Sequence, residues 1–515
     1  MRMKRKGRLL LVLGIVFLVL AGGIAWSQVT ERVSVDSAGV EGNNASSAPS
    51  TSSDGRHVAF ESQADNLVAG DGNSFWDIFV HDLQTGITTR VSLHSDGTTE
   101  GDGPSFDPSI SSDGRYVAFE SDADNLVVSD NGLYYDVYVH DRQTGTTTRV
   151  SLHTDGTEGD RESNDPSISG DGRYVAFESF ASTLVAGDMP FPFGFPDIFV
   201  RDRDADGNGT YDEVGGVSTV RVSVDSDGIA WDGPSLNPSI STNGRYVAFQ
   251  SDANLVFDDT GVAPDVFVHD RDYDEDGIYD DEDGTYDPGE VSTVRVSVRS
   301  DGTEADQNSS APSISVDGRY VAFESFATNL VAGDLNGLFD VFVHDRDADG
   351  DGIYDDEDGI LDPGEVSTVR VSVRSDCTEA DQASAAPSIS GDGRYVAFES
   401  DADNLVADDT NNKIDIFVHD LQTGTTTRVS VDLAGVEGND NSNAPSISAD
   451  GSSVIFESDA TNLVGVGNDS NGVPDIFADD LQAAAGGGGG GGSSSGGGGC
   501  FIATAADGSV VTGEK

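Results

Sequence analysis

Apolar positions along this chain come in short bursts bounded by turn residues, not in helical stripes. The string Tyr116–Ser121 is apolar on both faces at its centre (Val117, Ala118, Phe119), and so is Asp136–Asp141 (Val137, Tyr138, Val139). Runs of this length predict strands covered on both sides. A third pattern alternates Arg149 and Ser151 with Val150 and Leu152, which predicts a half-exposed outer strand. A fourth, Pro-Ser-Ile-Ser, stands before an Asp-Gly or Asn-Gly pair, the signal of a type I′ hairpin.

These four patterns, strands A to D in the order Pro-Ser-Ile-Ser, Tyr-Val-Ala-Phe-Glu-Ser, Asp-Ile-Phe-Val-His-Asp and Arg-Val-Ser, recur along the chain. The Asp-Gly-Arg-Tyr-Val-Ala-Phe string or a near copy begins at Asp54, Asp113, Asp171, Asn243, Asp317, Asp392 and Asp450. Seven sheets that each need a neighbour on both faces close into a ring, so the expected fold is all-β, a seven-bladed β-propeller of four-stranded blades. The Arg-Val-Ser strand occurs once before the first unit, at Arg32, and is missing after the seventh. The segment Arg32–Val35 is therefore expected to complete the last blade.

The repeat Pro-Ser-Ile-Ser-x-Asp-Gly-Arg-Tyr-Val-Ala-Phe, followed by Asp-Ile-Phe-Val-His-Asp, resembles the TolB-type propeller repeat over residues 28–482. That resemblance implies the fold and says little about function.

Both ends of the chain differ from the repeats. Residues 1–27 carry five basic residues before the apolar run Leu9–Leu20, the pattern of a signal peptide, with a membrane anchor as the alternative. Either reading predicts an exported protein: periplasmic, cell-surface or secreted. Residues 483–499 form a Gly/Ser-rich flexible linker. Residues 500–515 begin Cys-Phe-Ile-Ala-Thr-Ala, which resembles a short C-terminal box of exported bacterial proteins and implies processing or attachment at Cys500.

Charge narrows the partners. With 92 Asp and Glu against 28 Lys and Arg, the formal charge is −64. Such a field repels phosphate, so nucleic acid is excluded as a partner, and the membrane is met only through the terminal segments. A protein or glycan ligand remains, and a monomer is expected.

Three long loops between strands C and D concentrate the acids. In register they place Asp204, Asp206, Asn208 and Asp212; Asp272, Asp274, Asp276 and Asp280; and Asp347, Asp349, Asp351 and Asp355, with a glycine at each sixth position. Asp283 and Asp358 fall at the twelfth position, where the first loop has Gly215. Calcium takes six to eight hard oxygens from a sharply turned loop, which this spacing supplies. Strands flank these loops, so they resemble dockerin or thrombospondin-type calcium loops and imply calcium as a structural cofactor.

Two departures from the repeat suggest a ligand surface. The B–C loop of unit 3 carries Phe191, Phe193 and Phe195, and the connection after it carries Trp231 where its siblings have Gly or Ala. Together they predict an exposed aromatic patch. The D–A connections place Glu41, Glu100, Glu158, Glu304, Glu379 and Glu437 in a ring expected near the channel mouth, or else bonded to neighbouring backbone. Histidines at His81, His140, His269, His344 and His419 share one strand C position, which predicts a scaffold part. No catalytic constellation stands out, and the expectation is a binding or scaffolding module at the bacterial cell envelope that is not an enzyme, with a purely structural surface or adhesion protein, or a hydrolase or lyase using the central channel, as the alternatives.

Overall fold

A computed structural model describes residues 30–128, 134–186, 194–231, 233–257, 259, 263–280, 289–355, 364–465 and 469–481. Its strands form seven antiparallel four-stranded sheets. Blade 2 is representative, with strand A Ser105–Ile110, B Tyr116–Ser121, C Asp136–Asp141 and D Thr146–Arg149. In blade 7, strands Ser442–Ile447, Ser453–Ser458 and Asp475–Asp480 are completed by Thr30–Arg32. Thr30 pairs with Asp479 and Arg32 with Phe477, and the Val33 N–H continues to the Ile476 carbonyl at 2.7 Å. The expected ring closure is present, two residues earlier than the sequence pattern placed it.

Strands B and C are buried on both faces because each interface between blades is a core. Phe60, Phe79, Phe119, Tyr138, Phe177 and Phe199 are fully buried, and the ring on strand B stacks on the ring of strand C, for example at 5.9 Å for Phe119 and Tyr138. At the seam Val33, Ile455 and Ile476 pack with Val58 and Phe60, so the last interface matches the others. Each such aromatic contributes roughly 2–3 kcal/mol of burial.

Hydrogen bonds staple neighbouring blades at two radii. Around the channel, backbone bonds run from Ser53 to Ser112, Gly170, Thr242, Val316, Gly391 and Ala449, and the Asp450 N–H returns to Ser53. Near the outside, a strand D threonine donates to the carbonyl of the preceding blade, as Thr219 does to Leu152 at 2.6 Å and Thr293 to Val224 at 2.6 Å. At the seam Thr30 donates to Val431 at 2.7 Å.

Two local expectations are corrected. The A–B turn is not type I′. In blade 3 the Gly172 N–H bonds to the Ser169 carbonyl at 2.9 Å, and only Gly172, at φ +77°, lies in the left-handed region. The extra residue is used: Gly170 makes the backbone bond to the next blade, while Asp171 accepts from Ser169 and from the Arg173 N–H. A Cβ on Gly172 would stand 2.2 Å from the Tyr116 ring, so glycine also lets neighbouring blades meet. Strand D likewise ends at Arg149, because the buried Ser151 hydroxyl leaves the ladder and donates to Asp136 at 2.6 Å.

Candidate functional site

The central channel narrows toward its A–B end. At the A–B end, Ile110, Ile168, Ile240, Ile314, Ile389 and Ile447 form a buried apolar collar around 140 Å³ of space. Toward the opposite end, the cavity widens to 380 Å³ and is lined by seven prolines and by Ala48, Asp107, Asp165, Asn237, Ala311, Ala386 and Ala444. Those last seven residues all have φ between +47° and +53°, at a register shift in strand A. The bulge turns an N–H toward the preceding blade, where the strand B glutamate accepts it: Asp107 on Glu61 and Asp165 on Glu120 at 3.1 Å, and Ala444 on Glu399 at 2.9 Å.

Asp107 and Asp165 make blades 2 and 3 different from the rest of the mouth. Burial, reinforced by the neighbouring acids, pushes Glu120 up to about 8, Glu178 to about 7 and Asp165 to about 6. Beside them an aromatic line runs from Trp76 to Phe106 at 6.1 Å and on to Tyr135 at 6.4 Å. Phe106 was not anticipated. It sits in strand A where sibling blades have serine, alanine, asparagine or leucine.

Of the anticipated patch, two members lie among the described residues. Trp231 is 51% and Phe195 46% exposed, and Trp231 Nε1 donates to Asp225 at 2.8 Å. Phe191, Phe193 and Cys500 lie outside the described residues, as do Asp283 and Asp358.

In the C–D loops, the sixth-position glycines Gly209, Gly277 and Gly352 take φ of +83°, +85° and +91°. Asp272, Asp274 and Asp276 bring carboxylate oxygens within 4.8 Å of one another, as do Asp347, Asp349 and Asp351. In the first loop Asp204 accepts from the Asn208 and Gly209 N–H groups, while the Asn208 amide donates to Asp206 at 2.8 Å. These acidic clusters can hold a metal ion.

Asp212, Asp280 and Asp355 are placed differently from the expectation. Each turns away from its cluster to pair with the arginine nine residues earlier, Arg203, Arg271 or Arg346. The reason is a brace that sequence spacing did not reveal. Arg271 is fully buried between Tyr174, at 4.8 Å, and Tyr279, at 5.2 Å, and donates to the Gly244 carbonyl at 2.7 Å, so its charge needs a carboxylate at hand. Arg203 and Arg346 repeat the arrangement over Tyr116 and Tyr246.

The strand C histidines are scaffold. Each faces a strand D threonine, His269 on Thr293 at 2.8 Å and His344 on Thr368 at 2.9 Å, and burial pushes both down to about 3. The D–A glutamates do not line the channel mouth. They lie beneath the B–C loops, where Glu379 accepts the Leu335 N–H at 3.0 Å and Glu437 that of Thr410 at 3.0 Å.

The strand order defines a seven-bladed β-propeller. No protein-family model and no curated protein matches the chain. Among solved structures it is similar to TolB from Acinetobacter baumannii, at 15% identity and a TM-score of 0.34, over 71% of this chain and 61% of that one. It is also similar to oligogalacturonate lyase from Vibrio parahaemolyticus (14%, TM-score 0.45, 90% of this chain and 99% of that one). A third is acylaminoacyl peptidase from Pyrococcus horikoshii (12%, TM-score 0.41, 81% and 49%). The chain thus spans about three fifths of that TolB chain and about half of the peptidase. At these values the likenesses concern general architecture, and the fold rests on the chain's own strand pairing. They do correct one expectation: a lyase and peptidases stand among propellers of this kind, so the exclusion of an enzyme is withdrawn.

Proposed function

We propose that this is an exported propeller that binds, as a monomer, a protein segment bearing lysine or arginine at the wide mouth of its channel. The observation that carries this reading is a 380 Å³ cavity lined by Asp107 and Asp165, with the Trp76–Phe106–Tyr135 line beginning at the residue next to Asp107. Aromatic faces attract cationic side chains, and the carboxylates add charge complementarity. Export follows from the basic-then-apolar start of the chain, which fits a signal or anchor. Calcium is the ion the oxygen-only C–D loops suit best, and its role there is stiffening.

A peptide array and a glycan array, probed with the purified protein, test this reading. Retention of basic peptides, lost with Asp107→Asn or Trp76→Ala, is the expected result. Capture of neutral glycans by the same residues would replace the protein ligand with a sugar. A purely structural surface role is the second reading, favoured by the Arg–Tyr–Asp braces. It predicts a melting temperature that responds to calcium and to neither array.

A further inference from the structure

A third set of charged groups repeats beneath the B–C loops, apart from both the mouth and the C–D loops. In blade 5, Asp334 of the B–C loop, Asp340 at the start of strand C and Glu379 of the following connection bring carboxylate oxygens within 4.8 Å of one another. Arg370 Nη1 lies 3.6, 3.2 and 2.6 Å from them. Three carboxylates around one guanidinium leave an excess of two negative charges. The Asp334 and Asp340 side chains are 3% and 0% exposed, so water does little to disperse that charge.

The partners of these oxygens show where something is missing. Asp340 accepts from Ser372 at 2.5 Å and from Asn336 at 3.0 Å, and Glu379 accepts the Leu335 N–H. Asp334 Oδ1, in contrast, is buried and accepts no hydrogen bond, although it faces the other two acids. At the seam the same constellation is built from Asp469, Asp475 and Glu41, with Arg32 beside it, and Asp469 again leaves buried oxygens unbonded. Blade 4 repeats it with Asp259, Asp265 and Glu304, where Arg295 stands back at 3.5–3.7 Å.

Two variations within the ring sharpen the case. In blades 1 and 6 the equivalent acids surround Arg90 and Arg428 evenly, at 3.1–3.3 Å, so the guanidinium fills the centre itself, although Asp409 Oδ1 in blade 6 is also buried without a hydrogen bond. In blade 3 the connection offers Ala230 where the glutamate would stand.

We propose that the clusters of blades 4, 5 and 7 each bind a divalent cation, calcium by their all-oxygen donors, which ties a B–C loop to the next connection. At the seam this cation joins Glu41, near the start of the ring, to Asp469 and Asp475 of its last blade. The arginine then serves as the second counterion. The inference is independent of the C–D loops and of the ligand at the mouth.

Two measurements on the full chain test it. The first is an anomalous-difference map from wild-type crystals grown with manganese. Peaks are expected between Asp334, Asp340 and Glu379 and at the two equivalent places, with none beside Ala230. Peaks confined to the C–D loops, or no peaks, would overturn the proposal. The second is calcium calorimetry on a chain with the three C–D loops disabled by Asp206→Asn, Asp274→Asn and Asp349→Asn. Residual uptake is expected, falling by two ions when Asp334→Asn and Asp469→Asn are added. No residual uptake, or an unchanged stoichiometry in the fivefold variant, would contradict it.

Discussion

The two faces of the ring are built from one repeat and diverge in what their loops do. On the A–B and C–D face, the isoleucine collar narrows the channel and buried arginines between tyrosines brace each long loop onto the preceding blade. The opposite face keeps the channel wide, lines it with seven prolines and with Asp107 and Asp165, and leaves Trp231 and Phe195 exposed. One face is braced in blades 3 to 5, and the other carries the acids of blades 2 and 3 on which the proposed binding reading rests.

The braces mark where the rigid face is easiest to break. Asp280→Ala strands the Arg271 charge, fully buried between two tyrosines, and should cost about 3–5 kcal/mol in denaturant unfolding. An equal loss from an exposed acid such as Asp274 would show that the brace carries no special weight. On the proposed calcium reading of the C–D loops, a chelator should lower the melting temperature by an amount equivalent to about 2.7 kcal/mol, if calcium stands at a hundred times its dissociation constant beforehand. Asp274→Asn with Asp349→Asn should abolish most of that response. Gly172→Ala forces a Cβ against Tyr116 at positive φ, and a loss of about 1–3 kcal/mol is expected.

The open face should reveal itself through pH. Glu120, facing Asp107, Asp165 and Glu178, has its folded-state pKa raised to about 8, above the usual carboxylate value. The folded state therefore holds more protons than the unfolded chain, and stability falls as pH rises from about 4.5 toward 8. Glu120→Gln should flatten that decline in a series of melting curves, whereas a steeper decline would reverse the sign assigned here. The smallest effect is expected at the rim: Trp231→Ala should change stability by less than about 0.5 kcal/mol.

Much of this was legible in the sequence, for reasons particular residues make clear. Doubly apolar strands such as Val117–Phe119 can be buried only between two sheets, and the surplus Arg-Val-Ser at Arg32 could go only to the last blade. The turn type was misread because Asp-Gly says nothing of the bond Gly170 must make to the next blade. Asp280 looked like a metal ligand because the nine-residue step to Arg271, and the tyrosines that bury it, belong to different patterns. The strand B glutamates and the carboxylate clusters escaped notice because their partners come from other blades or from segments tens of residues away.

The division of labour between the faces is tested most directly by measuring one basic peptide, selected from the array, against three proteins: the wild type, a mouth variant with Asp107→Asn and Trp76→Ala, and a loop variant with Asp274→Asn and Asp349→Asn. Affinity lost at least tenfold in the mouth variant and retained in the loop variant is the predicted result. Binding that survives the mouth substitutions and disappears with the loop substitutions would contradict the account.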